Sequence, residues 1–423
     1  MSQHVAVVGA GMVGLSTAWF LQQHGLQVTV YDRDHVAAGS SWGNAGWLTP
    51  ALTAPLPEPA VLGYGIKAVL SPSSPVYVPL SPKLRLLQFL AGFTRASTHR
   101  RWGLGMRAYA PLNRLALGAF DELTGGGVDG ETLEADPFLA CYRTEAERTA
   151  MLTELEHIAA AGQDVSFDLL TGDEVRTAEP SLSPAVGAAV RLHGQRYLNP
   201  PEFVRALAAS VRDRGGEIVE RTTVTDVEQL TEGARVTAHR GAADDRVEVT
   251  DRFDSVVLAH GAWIGGLARK FGVREPVQAG RGYSFSVACE RMPSGPVYFP
   301  SQRVACTPLL TETGPRLRVA GMMEFRSPDA ALDPRRIDAI VEATRPLVTG
   351  VDLDDRRDEW VGSRPCTADG LPLVGATNAP SVFVAGGHGM WGIALGPLTG
   401  RLLAERIASG RTPAELVALD PLR

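Results

Sequence analysis

The first residues alternate apolar runs with glycines in an order that predicts a strand, a turn and a helix. HVAVV (4–8) is a short β-branched run, GAGMVG (9–14) follows directly, and LSTAWFLQQHG (15–25) ends on a glycine where a helix would stop. A further apolar run, Gln27–Tyr31, predicts a second strand and is followed by Asp32. This order is typical of the start of a nucleotide-binding domain.

Hydropathy alone would also allow a membrane span or a signal peptide here, since Met1–Tyr31 contains no Asp, Glu, Lys or Arg. The segment has no basic residues at its start, and glycines at 9, 11 and 14 interrupt it. We therefore expect a buried strand and helix instead.

The rest of the pattern predicts helices and strands in mixed order. Helical spacing predicts helices at Glu145–Ala161 and Asn199–Asp213, and Ser381–Gly410 repeats the order of strand, glycine-rich turn and helix. Three apolar or alternating runs between residues 283 and 322 predict a mostly antiparallel sheet, the floor of a second domain. The predicted later strands are Thr222–Gln229, Gly233–His239, Phe253–Ala259, Tyr283–Ala288, Arg303–Leu310 and Arg316–Met322.

The glycines of the first turn have the G-x-G-x-x-G spacing of a dinucleotide site. Gly9 permits the tight turn, Gly11 lets a pyrophosphate approach the backbone, and Gly14 lets the helix pack closely on the strand. Asp32 can accept hydrogen bonds from a ribose diol. A glycine turn without a ligand is the alternative, but strand, helix and acid together favour a dinucleotide. NAD and FAD both fit these residues.

Composition and charge narrow the class of protein. At 423 residues the chain has room for about two domains, and 44% hydrophobic with 21% charged residues describes a globular protein. The net charge of −6 gives no reason to expect nucleic acid. Widely spaced cysteines and no clustered histidines predict neither disulfides nor a metal site, and they fit a reducing cytosol. The cysteines are Cys141, Cys289, Cys306 and Cys366.

One segment departs from this acidic balance. Residues 59–120 contain eight basic side chains and no Asp or Glu. One interpretation is a patch that contacts a membrane surface or a redox partner, because basic amphipathic segments bind anionic lipid. The other, which we favour, is that these side chains ring the active-site mouth or pair with acids from other segments. The eight are Lys67, Lys83, Arg85, Arg95, Arg100, Arg101, Arg107 and Arg114.

Six motifs resemble those of one enzyme family. The chain is similar over nearly its whole length to the FAD-dependent amine and amino-acid oxidoreductases, the superfamily of D-amino-acid oxidase and glycine oxidase, and most of all to the FAD-dependent D-amino-acid dehydrogenases. This resemblance favours FAD over NAD. The motifs are GAGMVG (9–14) with Asp32, SSWGNAG (40–46), VVLAHGAW (256–263), RGYSF (281–285), GSRPCTADGLPLVG (362–375) and GGHGMWGIALGPLTG (386–400).

The resemblance implies an α/β fold, with a discontinuous Rossmann-like FAD-binding domain and a substrate domain that has a mostly antiparallel sheet. The FAD-binding domain is expected at residues 1–80, 150–265 and 362–423. The substrate domain is expected at residues 81–149 and 266–361.

The resemblance also assigns cofactor contacts. The loop Ser40–Gly46 is expected along the flavin, Val224 beside the adenine, and the turn Gly387–Ile393 at the pyrimidine end of the flavin ring. Backbone N–H groups at a helix start suit the last position, because they stabilise negative charge. The expected cofactor-binding residues are Gly9, Gly11, Met12, Val13, Gly14, Asp32, Arg33, Ser40, Ser41, Asn44, Ala45, Gly46, Trp47, Leu48, Val224, Ala259, Gly261, Trp263, Gly387, His388, Gly389, Met390, Gly392 and Ile393.

Three residues are expected to act on the substrate: Arg364, Tyr283 and His388. Arg364 matches the family arginine that binds the substrate carboxylate, a task suited to a planar guanidinium. A structural ion pair with Asp369 is the alternative. Tyr283 is a candidate second donor, although a buried Tyr or His also often satisfies only local hydrogen bonds. Trp47 and the Met390-Trp391 pair stand where related dehydrogenases have polar residues, so an apolar or cyclic substrate is expected at least as much as a small polar one such as D-alanine.

The expected reaction is oxidative deamination of an amino acid, by resemblance a D-amino acid. Hydride would pass from Cα to flavin N5, and the imino acid would hydrolyse to a keto acid and ammonia, with a quinone or another acceptor taking the electrons. The alternatives are an oxygen-using oxidase of glycine, sarcosine or a cyclic secondary amine such as D-proline, and a flavin-binding protein with a vestigial pocket. The expected location is the cytoplasm, with residues 59–120 as the candidate for peripheral membrane contact.

Overall fold

The computed structural model of this chain describes residues 3–59, 74–79, 83–241, 247–311 and 314–423. The strands within these residues are β1 (His4–Val8), β2 (Gln27–Tyr31), β3 (Trp47–Leu48), β4 (Val76–Tyr77), β5 (Leu133–Glu134), β6 (Phe138–Tyr142), β7 (Phe167–Thr171), β8 (Ala188–Leu192), β9 (Arg196–Tyr197), β10 (Glu217–Val219), β11 (Thr222–Gln229), β12 (Ala234–Arg240), β13 (Val247–Phe253), β14 (Ser255–Leu258), β15 (Val277–Val287), β16 (Val297–Phe299), β17 (Val304–Thr311), β18 (Gly314–Phe325), β19 (Arg357–Thr367), β20 (Leu373–Ala376) and β21 (Val382–Gly386).

The helices begin and end at residues suited to those positions. Thr144 caps one helix by accepting a hydrogen bond from the backbone N–H of Glu147, and Gly410 ends the last helix with a φ of 76°. The α-helices are α1 (Met12–Gln23), α2 (Leu84–Ala96), α3 (His99–Gly125), α4 (Glu145–Ala160), α5 (Gly172–Ala178), α6 (Pro200–Asp213), α7 (Pro334–Thr344) and α8 (Gly392–Ser409).

The first sheet is largely parallel and brings together distant parts of the chain. Its strand order is β10-β2-β1-β14-β21-β20, and only the β20 and β21 pair is antiparallel. Helices α1 and α8 pack on each other, and a Cβ at Gly400 would lie 2.7 Å from the backbone nitrogen of Thr17. Because β1, β14 and β21 are neighbours, the structure confirms a discontinuous Rossmann-like fold.

The second sheet is mostly antiparallel, as predicted. Its strand order is β19-β15-β18-β17-β16-β6-β8-β7, with β4 added beside β18, and only the pairs β16 with β6 and β18 with β4 are parallel. Strands β7 and β8 belong to this sheet, although the sequence assigned residues 150–265 to the FAD-binding domain. The chain stays with the second sheet through residue 192 because β8 pairs with β6 on one edge and β7 on the other.

Two smaller sheets complete the described strands. β11, β12 and β13 form an antiparallel sheet that starts with the predicted hairpin, and β3, β9 and β5 form the other. The predicted strand Phe253–Ala259 is divided in the structure, since Phe253 pairs with Ala234 and ends β13, whereas Ser255 begins β14. The sequence pattern did not reveal α2, α3, α5 or α7.

The basic segment contains α2 and α3 where it is described. Residues 60–73 of this segment, which include Lys67, and residues 80–82 lie outside the described residues. Among the described helices, none is both long enough and apolar enough to cross a bilayer.

Candidate active site

A deep cleft lies at the carboxyl ends of the parallel strands β1, β14 and β21, opposite strand β19 of the second sheet. This edge is where open α/β sheets bind their ligands. The cleft has a cavity volume of about 260 Å³. Its lining runs from the glycine turn at residues 9–13 to Gly392 and Ile393 at the start of α8, so its shape suits an extended ligand such as a dinucleotide.

The first glycine turn forms one end of this cleft, and only glycine fits two of its positions. A Cβ at Gly9, whose φ is 114°, would lie 2.6 Å from the carbonyl oxygen of Ala259. A Cβ at Gly14 would lie 1.9 Å from the carbonyl oxygen of Gly9. At Gly11 the space is open except for the Ser41 hydroxyl at 3.3 Å, so this glycine keeps room for a ligand.

Two helices start at the cleft, α1 at Met12 and α8 at Gly392. Neither N-cap residue supplies a side-chain hydrogen bond, although the Ser41 hydroxyl accepts one from the N–H of Met12 at 3.2 Å. The first N–H groups of a helix carry partial positive charge and suit phosphate or an anionic ring. These backbone groups, with the glycine turn, fit the pyrophosphate and the flavin ring of FAD.

Asp32 is held at the end of β2 with its carboxylate in the cleft. Its Oδ2 accepts a hydrogen bond from the N–H of Ala10 at 2.7 Å, and its Oδ1 accepts one from the N–H of Asp34 at 2.9 Å. Burial raises the pKa of Asp32, although both of these hydrogen bonds oppose the rise. The fixed oxygens retain lone pairs for ribose hydroxyls.

The loop Gly39–Gly46 crosses from the first sheet to the second. The Ser40 hydroxyl donates to the carbonyl of Ser363 at 2.5 Å, and the Ser284 hydroxyl donates to the carbonyl of Gly43 at 2.8 Å. A Cβ at Gly43 would lie 2.2 Å from the indole of Trp360, so the loop needs glycine there to approach the sheet. Ser40, Ser41 and Asn44 line the cleft from this loop.

The two tryptophans of this region lie outside the cleft lining. The indole Nε1 of Trp47 donates to the hydroxyl of Thr307 at 2.8 Å, and its ring meets Phe138 and Tyr298 edge-on at 4.9 and 5.3 Å between centroids. Trp42 lies near Trp360 on the second sheet, with 6.5 Å between ring centroids. Both rings pack the junction of the two sheets.

Arg364 brings a cation into the cleft from β19. Its guanidinium lies over Gly282, where a Cβ would come within 2.1 Å of Nη2, and its Nη1 donates to the carbonyl of Met322 at 3.1 Å. Asp369, the alternative partner, forms a two-pronged ion pair with Arg423 instead. Burial lowers the pKa of Arg364, but an arginine stays charged in proteins. No carboxylate pairs with it among the described residues.

Tyr283 is not brought to Arg364. In the register of β15 and β19, Gly280 is opposite Arg364 and Tyr283 is opposite Val361, so the two side chains leave opposite faces of the sheet. Tyr283 is fully buried in the core behind the sheet, where its hydroxyl donates to the carboxylate of Glu324. Burial is the main reason that the pKa of Tyr283 is raised.

His388 lies at the turn before α8 and lines the cleft. Its Nε2 is 3.0 Å from the hydroxyl of Thr399, which donates to the carbonyl of Leu395. A hydroxyl has one proton, so Nε2 of His388 must carry the hydrogen of this contact. Burial lowers the pKa of His388 to about 4. Its Nδ1 is a buried acceptor without a partner among the described residues.

Most of the predicted residues meet in the cleft. Of those outside its lining, Gly14 supports the first turn, Ala45, Gly46, Trp47 and Leu48 continue the loop away from it, and Gly387 lines a small adjoining cavity with Leu56 and Trp391. The predicted residues in the lining are Gly9, Gly11, Met12, Val13, Asp32, Arg33, Ser40, Ser41, Asn44, Val224, Ala259, Gly261, Trp263, Arg364, His388, Gly389, Met390, Gly392 and Ile393.

Sequence reasoning missed several lining residues. His260 is one of them, and burial lowers its pKa to about 4. Its position two residues after the buried strand β14 was the available signal, because the carboxyl ends of neighbouring parallel strands meet at one edge. The others include Ala10, Asp34, Thr222, Thr223, Pro365 and Gly386.

Comparison with known proteins agrees with this geometry. Residues 4–406 match the family model described as "DAO: FAD dependent oxidoreductase". The fold is similar to glycine oxidase from Geobacillus kaustophilus, with a TM-score of 0.72 and 22% identity over 100% of this chain and 99% of that one. It is also similar to L-alpha-glycerophosphate oxidase from Mycoplasma pneumoniae with FAD bound (0.72, 18%, covering 97% and 95%). L-proline dehydrogenase from P. horikoshii is a third similar structure (0.68, 16%, covering 100% and 97%).

Proposed function

This chain belongs to the DAO family of FAD-dependent oxidoreductases, and from that premise we propose that it is a dehydrogenase that deaminates D-amino acids. The observation that carries the proposal is Arg364, a cation in the cleft with a backbone carbonyl as its partner and no carboxylate among the described residues. A guanidinium with free N–H groups binds a carboxylate in two parallel hydrogen bonds. The amino-acid substrate would supply that carboxylate.

The residues of the cleft support a mechanism without a protein base. Bound FAD supplies the acceptor for a hydride from the substrate Cα. Arg364 would hold the carboxylate, which fixes Cα in the cleft. His260 and His388 have pKa values of about 4 and are weak bases at neutral pH, and Asp32 and Asp34 lie at the ribose end. The ammonium proton would therefore leave to water, and the imino acid would hydrolyse.

A cyclic secondary amine is the second candidate substrate. Met390 lines the cleft, and Leu56 and Trp391 line the cavity that adjoins it. These apolar side chains favour an apolar or cyclic substituent over a small polar one. The preference can be measured by reducing the bound flavin with both enantiomers of a panel that includes alanine, phenylalanine, proline and sarcosine.

The role of Arg364 is tested with two substitutions. Arg364→Ala should leave FAD bound and raise KM for amino acids at least tenfold, because it removes a charge-assisted contact. Gly282→Ala should also raise KM, since its methyl group would displace the guanidinium. Steady-state kinetics measure KM, and absorbance measures the FAD content, so a loss of substrate binding is distinguished from a loss of cofactor. Gly118→Ala is the matched control, because a Cβ at Gly118 would meet open space. An unchanged KM in Arg364→Ala would overturn the assignment.

We propose a quinone as the electron acceptor and the face of α2 and α3 as the surface that meets the membrane. Leu84, Leu87 and Leu104 are exposed, Leu84 to 67%, and arginines lie between them. The six arginines of this segment are all described, and none of them lines the cleft or forms an ion pair with a described Asp or Glu. Lys83 does have a partner, and Lys67 lies outside the described residues. Exposed leucines beside arginines that have no acidic partner suit an anionic lipid surface.

This surface is tested by co-sedimentation with vesicles. Wild-type protein should sediment with vesicles of phosphatidylcholine and phosphatidylglycerol, and less so as salt is raised, because anionic lipid attracts the arginines. The double change Leu84→Ser and Leu87→Ser should weaken binding, whereas Leu169→Ser, an exposed leucine on β7, should not. Equal vesicle binding by both variants would contradict the proposed membrane surface. Peroxide formation under air would contradict the quinone acceptor and argue for an oxidase.

A further inference from the structure

Three side chains at the mouth of the cleft form a cluster that we call the rim clasp: Arg33, Trp263 and Asp329. The guanidinium carbon of Arg33 lies 3.8 Å from the centroid of the Trp263 ring. The indole Nε1 of Trp263 donates to Oδ1 of Asp329 at 3.0 Å, and Nη1 of Arg33 is 3.5 Å from the same oxygen. Each member of the clasp therefore contacts the other two.

The rim clasp connects three separate elements. Arg33 lies two residues after β2, and Trp263 lies five residues after β14, so both extend from the first sheet. Asp329 lies on the connection between β18 and α7, which belongs to the second sheet. Arg33 and Trp263 line the cleft and are partly exposed, which places the clasp at its opening.

The connection that carries Asp329 is anchored on both sides of that residue. The Ser363 hydroxyl donates to the carbonyl of Pro328 at 3.0 Å. Nη2 of Arg281, a buried side chain, donates to the carbonyls of Ala330 and Ala331 at 2.5 and 3.1 Å. Asp329 is thus held against the second sheet, and through it the indole and the guanidinium are held across the cleft mouth.

We propose that Asp329 is a positioning residue for the cofactor: it holds Trp263 and Arg33 over the cleft mouth and slows the release of FAD. FAD leaving past this rim requires the indole hydrogen bond, the ion pair and the ring stack to part together. The inference rests on the FAD cofactor of the family and is independent of the substrate proposed above.

A surface ion pair with no role in binding is the competing explanation. The Arg33 and Asp329 side chains are 41% and 63% exposed, and an exposed pair alone contributes little. The rim clasp differs, because one carboxylate oxygen also accepts the indole N–H and the guanidinium stacks on the ring. We therefore expect an effect on FAD release that exceeds the effect of an ordinary surface pair.

The test is the rate at which the holoenzyme releases FAD after dilution, followed as the rise in free-flavin fluorescence. Asp329→Ala should release FAD about three- to tenfold faster than wild type, from the summed loss of the ion pair with Arg33 and the hydrogen bond from the Trp263 indole. Trp263→Phe keeps an aromatic ring and loses the indole N–H, so its FAD release rate should lie between those of wild type and Asp329→Ala. Salt should speed release from wild type and have less effect on Asp329→Ala, since the ion pair is screened.

Asp354→Asn is the matched control. Asp354 forms an exposed pair with Arg345 at 2.8 Å, outside the cleft lining, and its removal should leave the release rate unchanged. Release within twofold of wild type in both Asp329→Ala and Trp263→Phe would overturn the proposal. Equal acceleration in Asp354→Asn would also overturn it, because the effect would then be general destabilisation.

Discussion

Arg364 and Tyr283 show how a single residue's role depends on which face of a strand it occupies. Both lie on paired strands of the second sheet, and both sit in motifs that resemble family motifs. Because side chains alternate between faces, the register of β15 and β19 sends Arg364 toward the cleft and Tyr283 toward Glu324 behind the sheet. The residue types and motifs suggested that Arg364 and Tyr283 both bind the substrate carboxylate. The strand register places their side chains on opposite faces of the sheet.

His388 gives a prediction of pH dependence at the scale of one residue. Its pKa is about 4 in the folded protein, below the value of about 6.5 expected in the unfolded chain. The unfolded state therefore binds more protons as pH falls below about 7, and folding stability is lost in that range. His260 has a pKa of about 4 as well and should add to the loss.

Replacing His388 tests this linkage. His388→Gln should reduce the difference between the free energies of unfolding at pH 7.5 and pH 5 by about 2 kcal/mol. Urea unfolding at both pH values measures it. His24→Gln, a largely exposed position, should leave the difference unchanged. An identical pH dependence in His388→Gln and wild type would show that this imidazole titrates normally.

At the scale of the element, two glycines of the turn at the amino terminus have different roles: Gly14 allows α1 to pack on β1, and Gly11 leaves room for the ligand. Gly14→Ala would place a carbon 1.9 Å from the carbonyl oxygen of Gly9, which forces α1 away from β1. We expect a loss of about 3 kcal/mol or more in stability, because overpacking a tight contact strains the backbone.

Gly11→Ala should behave differently, since its methyl group would face the cleft with only the Ser41 hydroxyl at 3.3 Å. The protein should unfold within about 1 kcal/mol of wild type, yet bind FAD at least tenfold more weakly. Urea unfolding and titration with FAD measure the two properties. FAD affinity equal to wild type in Gly11→Ala would mean that this turn does not face the pyrophosphate.

Helices α2 and α3 also show an element-scale effect. A run of basic residues among leucines is compatible with a charged cleft mouth, a set of ion pairs or a lipid-facing surface. The packing of the helices determines which residues point outward, and it leaves Leu84, Leu87 and several arginines exposed on one side. The sequence pattern identified an amphipathic segment, and the packing shows that its outer face carries exposed leucines and arginines.

At the scale of the whole molecule, the cofactor should hold distant segments together. The cleft is formed by residues after β1, β14 and β21, which are separated by more than one hundred residues each. FAD therefore recognises the folded arrangement and not the unfolded chain. At a free FAD concentration one hundred times Kd, the free energy of unfolding should rise by about 2.7 kcal/mol.

Thermal unfolding across a series of FAD concentrations measures this stabilisation. Riboflavin, which lacks the adenosine and the pyrophosphate, should stabilise less at equal concentration, because it reaches only one end of the cleft. A melting temperature that does not change with FAD concentration would contradict the proposed arrangement.

The sequence by itself determined the local units. The strand, glycine turn and helix at residues 4–25, the hairpin from Thr222 and the final strand and helix follow from apolar periodicity and from glycine positions within about thirty residues of each other. Motif resemblance added FAD, the two-domain α/β fold and Arg364 as the candidate for substrate binding.

The tertiary structure alone decided which side chains meet. It paired Asp369 with Arg423, placed Tyr283 behind the sheet, packed Trp47 against Phe138 and assembled the rim clasp from three elements. These contacts join residues far apart in the chain, and they depend on strand register and sheet order. Local sequence fixes the type of each side chain and the alternation of side chains along a strand, whereas only the packed fold decides which face is turned toward the cleft and which residues meet there.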